Sequence, residues 1–331
     1  MAMFLSSRGL IVAGCFAAML AALVLTPFVG STALSFERVF STTIPFADNL
    51  DAQIFFLARL PRALAAAVVG GTLAAAGVVF QGLLQNALAT PYTLGVSAGA
   101  SLGAMVAITF GASLPMLGVT GASLAGATVA VLIVYALAQV RHRGLSTTVL
   151  LLAGVTLNAF FSALILFVQY MSDFAQTFRA IRWLMGDLDV AGYGSIIAAS
   201  PFLVLAFAAF TWLARPLNLL TLGFDAAASR GVNVAVAQKL AFFGASLATG
   251  AAVSIGGPIG FIGIIVPHLI RLMVGADHRL VLPASTFFGA AFLVLCDTLS
   301  RTVLAPVELP VGIITAVIGG PFFLWMLMRG R

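Results

Sequence analysis

Charged residues punctuate this chain rarely, and the stretches between them are apolar on every side. From Ala63 to Val140 there is no charged side chain at all. One helix needs only ~20 apolar residues to cross ~30 Å of hydrocarbon, so this run alone predicts more than one crossing. Turn chemistry breaks the apolar stretches at Asn86 to Pro91, Gly111 to Pro115, Arg141 to Gly144 and Gly256-Gly257-Pro258. These breaks predict helices near 9–29, 62–84, 93–111, 116–140, 147–170, 193–213, 237–256, 259–276, 281–300 and 311–328. The run from Leu240 to Ile270 is long for one span and short for two. The first span could be read as a cleaved signal peptide, but its apolar core is long and Arg8 is its only preceding charge, which favours a retained helix.

Composition agrees with lipid as the main solvent: 62% of the 331 residues are hydrophobic and 8% charged, against roughly 25% charged in a soluble domain. Lipid offers no partner to a free N–H or C=O, so spanning segments are helices or closed barrels. The alternation of a barrel strand is missing, and the expected class is all-α, a single membrane domain over 1–331. Cys15 and Cys296 lie in apolar stretches and suggest neither a disulfide nor a metal site, and the three histidines lack ligand spacing. A net charge of +6 is spread too thinly for a nucleic-acid patch.

The charges instead set an orientation. Ten spans with both termini in the cytoplasm put ten basic residues inside (Arg8, Arg141, Arg143, Arg215, Arg230, Lys239, Arg271, Arg279, Arg329, Arg331) and six outside (Arg38, Arg59, Arg62, Arg179, Arg182, Arg301). Merging the spans near 237–276 would weaken that bias. Ten spans also divide into two halves of five that would be inverted relative to each other, as in many transporters, although no internal sequence match is evident. Small residues at Gly95, Gly99 and Gly103, and at Gly118, Ala122 and Gly126, predict close helix crossings. Gln81, Asn158 and Gln169 are uncharged polar groups within spans, and Asp297 and Arg301 are placed for an i,i+4 ion pair. No ATP-binding P-loop exists, since the only lysine, Lys239, follows Gln238.

An ordered set of runs gives this pattern a family. Arg59-Leu-Pro-Arg62, Gln85-Asn-Ala-Leu-Ala-Thr-Pro91, Leu94-Gly-Val-Ser-Ala-Gly-Ala100, Leu151-Leu-Ala-Gly154 and Trp183-Leu-Met-Gly186 come first. Leu217-Asn-Leu-Leu220, Gly257-Pro-Ile-Gly-Phe-Ile-Gly263, Pro267-His-Leu-Ile-Arg271, Glu308-Leu-Pro-Val-Gly312 and Gly320-Pro-Phe-Phe323 follow. Together they resemble the permease subunits of type II ABC importers, the FecCD/BtuC-like family for iron-siderophores, haem and cobalamin. The resemblance implies a BtuC-like homodimer in the cell inner membrane, with two cytoplasmic ABC ATPase subunits and a periplasmic substrate-binding protein. It also implies that ATP and Mg are held by the ATPase chains, with no cofactor or metal on this one.

The same resemblance assigns residues. Arg59, Arg62 and Arg301 match the arginines that meet glutamates of the binding protein, a pairing the guanidinium fork suits; the plainer reading of Arg59 and Arg62 is snorkelling at a helix end. The stretch 215–236 matches a coupling segment of two short helices that seats in the ATPase, carried by Gly223, Asp225, Ala226, Ala227, Arg230 and Gly231. Here Phe224 stands where an acid is common and Arg230 where an aliphatic residue is common. Asn86, Leu88, Thr147 and Thr148 match a cytoplasmic gate, with Ala87 in place of a usual proline. Alternatively, Asn86 is only a turn residue and Thr147 a helix N-cap.

The expectation is a permease that alternates access for an iron chelate, a ferric siderophore or haem, with cobalamin as the alternative cargo. An ion-coupled secondary transporter is disfavoured because the centres of the spans carry no ionisable group. A membrane enzyme lacks a catalytic cluster.

Overall fold

The computed structural model describes residues 2–111, 118–139, 146–189 and 192–328; among them the regular structure is helical throughout. The expected turns at Gly111 to Pro115 and Arg141 to Gly144 fall largely outside these residues, as do Arg141, Arg143, Arg329 and Arg331. The long helices are α1 (Ala2–Leu25), α2 (Leu60–Leu84), α3 (Val96–Phe110), α4 (Gly118–Gln139), α5 (Thr147–Tyr170), α6 (Phe174–Leu184) and α7 (Gly194–Leu220). A short α8 (Phe224–Ala228) leads to α9 (Val234–Gly256), α10 (Ile262–Val274), α11 (His278–Thr302) and α12 (Val311–Met328).

Every predicted span has a helix at its place. Among the described residues seven helices are long and apolar enough to cross a membrane, and Val96–Phe110, Ile262–Val274 and Val311–Met326 are shorter apolar ones. At 1.5 Å per residue, α10 extends only about 20 Å. The uncharged run from Leu240 to Ile270 is divided as expected: α9 ends at Gly256, and the chain turns through Gly257 and Phe261, both at φ +69°.

Two boundaries and one added helix differ from the sequence reading. The second span begins earlier, because Leu50–Gln53 and a wider π-turn over Ile54–Arg59 run directly into α2. The sixth runs on to Leu220 through Pro216, since Leu217 and Leu220 are fully buried and hold the last turn against the core. Between α5 and α7 lies α6, an amphipathic helix the span pattern does not contain. Its start is fixed by a reciprocal cap, with Asp173 accepting from the Gln176 backbone and Gln176 returning the bond.

The bundle is organised around α2, whose residues from Val69 to Leu84 are all buried. It packs against α7, α9, α10 and α11, while α1 lies along α11 with Phe16 edge-on to Phe287 at 5.0 Å. Such tight enclosure requires small residues. A side chain at Gly70 would strike the Gly289 carbonyl of α11, and one at Gly77 the Gly263 carbonyl of α10. The expected crossing of α3 and α4 is present, with Gly99 against Gly126 and Gly103 against Ala122. Gly95 does not belong to that stripe: it sits before α3 at φ +79°, facing Gly154 and Leu157 of α5. Among the described residues, nothing lies within 4 Å of where a side chain at Gly118 would stand. Gln81 donates to the Gly263 carbonyl at 3.1 Å and Asn158 to the Tyr92 carbonyl at 2.8 Å, so both serve packing.

Candidate functional site

The helices bring the charged residues to two separate ends, and α1 tells them apart. The guanidinium of Arg8 lies beside Gly275, in the turn between α10 and α11. At the far end of α1, the carbonyls of Pro27, Val29 and Thr32 receive arginines from α2's lead-in and from α11.

At this second end the structure gathers Arg59, Arg62 and Arg301, as the sequence runs suggested. None is a snorkelling side chain: they are 8%, 9% and 6% exposed and bonded within the protein. Arg59 donates to the Pro27 carbonyl at 3.2 Å and to that of Thr32 at 2.6 Å. Arg62 holds Asp297 through Nε at 2.9 Å and Glu308 through Nη1 at 2.6 Å. Arg301, one turn beyond Asp297 on α11, donates to that same carboxylate at 3.1 Å, which is the expected i,i+4 pair. Asp297 is 1% exposed, so its charge is supportable only because two guanidinium groups share it. A cavity of about 1010 Å³ opens over the cluster, lined by Arg59, Arg62, Arg182, Arg301, Asp189 and Glu308 among others. The roles of Asp297 and Glu308 toward Arg62 had no local signal, since the partners lie 235 and 246 positions away.

The opposite end is built from turns. Of the stretch 215–236 assigned to coupling, residues up to Leu220 belong to α7 and those from Val234 to α9, with one short helix, α8, between them. Gly223 opens α8 at φ +106°, ψ 152°, a backbone geometry that excludes side chains. Of the six residues assigned there, Asp225, Arg230 and Gly231 are exposed, Gly223 and Ala226 are half-buried, and Ala227 is buried as the anchor of the segment. Its base is tied to the turn before α11: Asn218 donates to Asp277 at 2.6 Å and accepts from the His278 backbone at 2.8 Å. Burial raises the pKa of Asp277, but bonds from the Arg279 N–H and Asn218, with the charge of Arg279, outweigh it and hold the carboxyl below its ordinary range.

Of the four residues assigned to a gate, Asn86 and Leu88 lie in the turn after α2, and Thr147 and Thr148 at the start of α5. Asn86 makes a local turn, accepting from the Leu88 N–H at 2.9 Å, and lines a cavity of about 280 Å³ with Gln81, Gln85, Arg271 and His278. Leu88 is 51% exposed. Thr147 and Thr148 begin α5, which packs on α3 and α4. The helix cap there is Ser146, whose hydroxyl accepts from the Val149 N–H, so Thr147 is not the N-cap. Next to the arginine-lined cavity, with Met185 lining both, is an apolar cavity of about 480 Å³, bordered also by Phe261, Ile313 and Val317.

Comparison with known proteins decides the family. The profile of the FecCD transport family matches residues 18–329. The chain belongs to the FecCD transport family. It is 40% identical over 307 residues to the hemin transport system permease protein HmuU of Yersinia pestis, covering 92% of this chain and 90% of that one. It is 44% identical over 269 residues to the cobalamin import system permease protein BtuC of Halobacterium salinarum, covering 81% and 72%. A solved chain described as a metal-chelate type ABC transporter in an inward-facing conformation superposes with a TM-score of 0.82 at 32% identity, covering 98% of this chain and 100% of that one. As a FecCD protein the chain is a multi-pass permease of the ABC importer class, which works with ATPase and binding-protein partners. Among the described residues no group of His, Cys, Asp and Glu is placed to hold a metal ion.

Proposed function

We propose that this permease imports an iron chelate, a ferric siderophore or haem, across the cell inner membrane as a homodimer. Two ATPase subunits would engage the Thr221–Asn233 segment from the cytoplasm, and a periplasmic binding protein would dock at Arg59, Arg62 and Arg301. The observation that carries this reading is the opposition of the two ends: an arginine-lined cavity at one, an exposed turn segment with Asp225 and Arg230 at the other. Guanidinium groups suit carboxylates on a docking protein, and the exposed segment offers a contact surface that, among the described residues, has no ion pair to break. On this topology Asn86, Leu88, Thr147 and Thr148 face their counterparts across the dimer axis near the cytoplasm. The apolar cavity at Phe261 suits passage of a bulky, poorly hydrated solute without tight binding. Cobalamin is the second reading, favoured by the relative named for cobalamin import.

The test is uptake into proteoliposomes holding the permease, its ATPase and its binding protein, with ferric siderophores, haem and cobalamin offered separately. ATP-dependent uptake of an iron chelate that ignores proton and sodium ionophores is expected. Uptake by this chain alone, driven by an ion gradient, would overturn the proposal.

A further inference from the structure

The arginine cluster contains one carboxylate that differs from the other. Asp297 is 1% exposed, lies on α11 and is gripped by two guanidinium groups. Glu308 lies on the irregular link between α11 and α12, and its side chain is 44% exposed beside an Arg62 side chain that is 10% exposed. It touches the cluster through a single Arg62 nitrogen, at 2.6 Å. Glu308 and Arg62 line the open cavity, and Asp297 lies behind them.

Resting on the docking role proposed above, we infer that Glu308 is an internal stand-in for the carboxylate of the docking protein. In the free permease it occupies the part of Arg62 that faces the cavity, and docking exchanges it for the partner's glutamate. Charge makes exchange the favourable route. Arg59, Arg62 and Arg301 carry three positive charges against Asp297 and Glu308, leaving the cluster at +1. Without Glu308 it would stand at +2, with the Arg62 side chain only 10% exposed at the cavity wall. A partner carboxylate that replaces Glu308 restores the balance and leaves no buried cation bare.

The exchange also has a mechanical output. Glu308 is three residues before α12, and the neighbouring Leu309 N–H bonds the Ser300 carbonyl at 3.0 Å. At the start of α12, Gly312 is packed so closely on the Met185 carbonyl that no side chain would fit. Met185 and Gly312 both border the apolar cavity that contains Phe261. Release of Glu308 therefore removes one tie on the lead-in to α12, a wall of the proposed path, and leaves it held by the Leu309 and Gly312 contacts.

The experiment measures binding of the substrate-binding protein that stimulates ATP hydrolysis by the permease–ATPase complex, using that complex in nanodiscs. Wild type, Glu308→Gln, Glu308→Asp and Arg59→Ala are compared, each first shown to be folded by its thermal melt. A half-exposed pair holds its closed form only modestly, so removing the competitor should tighten docking about two- to fivefold. Glu308→Asp keeps the charge but shortens the reach, and should tighten docking too. Arg59→Ala should weaken it. Weaker arginine-variant docking with no gain from Glu308→Gln would overturn the stand-in while sparing the docking reading. Tightening by Gln but not by Asp would reduce the effect to net charge and equally overturn it. No effect of Arg59→Ala would remove the docking reading on which it rests.

Discussion

At the arginine end, Arg59, Arg62, Asp297 and Arg301 are each less than a tenth exposed, and every one is bonded to a residue far along the chain or to a loop carbonyl. At the opposite end, Asp225, Arg230 and Gly231 are exposed, and order comes from the backbone: Gly223 in a geometry reserved for glycine, and Asn218 lacing α7 to the turn before α11. One end is fixed by paired charges that tolerate little change. The other is fixed by local turns whose outward side chains are free to meet a partner. The same family signature thus covers residues that hold the fold and residues that only face outward.

The comparison breaks most visibly at Asp297. Replacing it with alanine leaves Arg62 and Arg301 without their shared buried anion and should cost about 3–5 kcal/mol; a thermal melt of the detergent-solubilised permease measures it, and an unchanged melting temperature would mean that water already screens the cluster. Gly77→Val tests the axis between the ends. Its side chain would press on the Gly263 carbonyl, and overpacking of that kind costs about 1–3 kcal/mol, to be read in the same melt. Asp225→Ala and Arg230→Ala sharpen the contrast, since they should shift stability by less than about 0.5 kcal/mol while lowering ATP-driven uptake severalfold. Full uptake by both variants would deny the exposed segment its coupling role.

The smallest expected effect is one of pH. The Asp277 carboxyl titrates lower in the folded chain than in the unfolded one, so its contribution is present above the unfolded value. It is lost as pH falls through the folded value. Over the interval from about pH 5 to below pH 4, Asp277→Asn should therefore show a shallower fall in melting temperature than the wild type. An equal slope in both would place the acid sensitivity elsewhere.

What the sequence made legible follows from the range of the physics involved. Spans could be read because hydrocarbon thickness acts on each stretch independently, and turns such as Asn86 to Pro91 announce themselves locally. Arg59, Arg62 and Arg301 could be grouped from family runs, and Asp297 with Arg301 from helical spacing. The bond from Arg62 to Asp297 could not, because it joins distant helices. The glycine contacts of Gly70 and Gly77 were hidden for the same reason. By contrast α6 was readable: Asp173 and Gln176 form a local cap, but a search for spans passes over an eleven-residue amphipathic helix. The extension of α7 past Pro216 depended on burial of Leu217 and Leu220, which only the folded neighbours supply.

The composition of α2 has a consequence for how such a molecule can move. Between Ala63 and Ala76 its side chains are almost all alanine, glycine or valine, with few or no rotamers to exchange. A helix of this kind cannot absorb motion by repacking its side chains, as a leucine-rich helix could. Displacement has to pass around it, as around an axle, and be taken up where the chain is already bent, at Gly257 and Phe261 between α9 and α10.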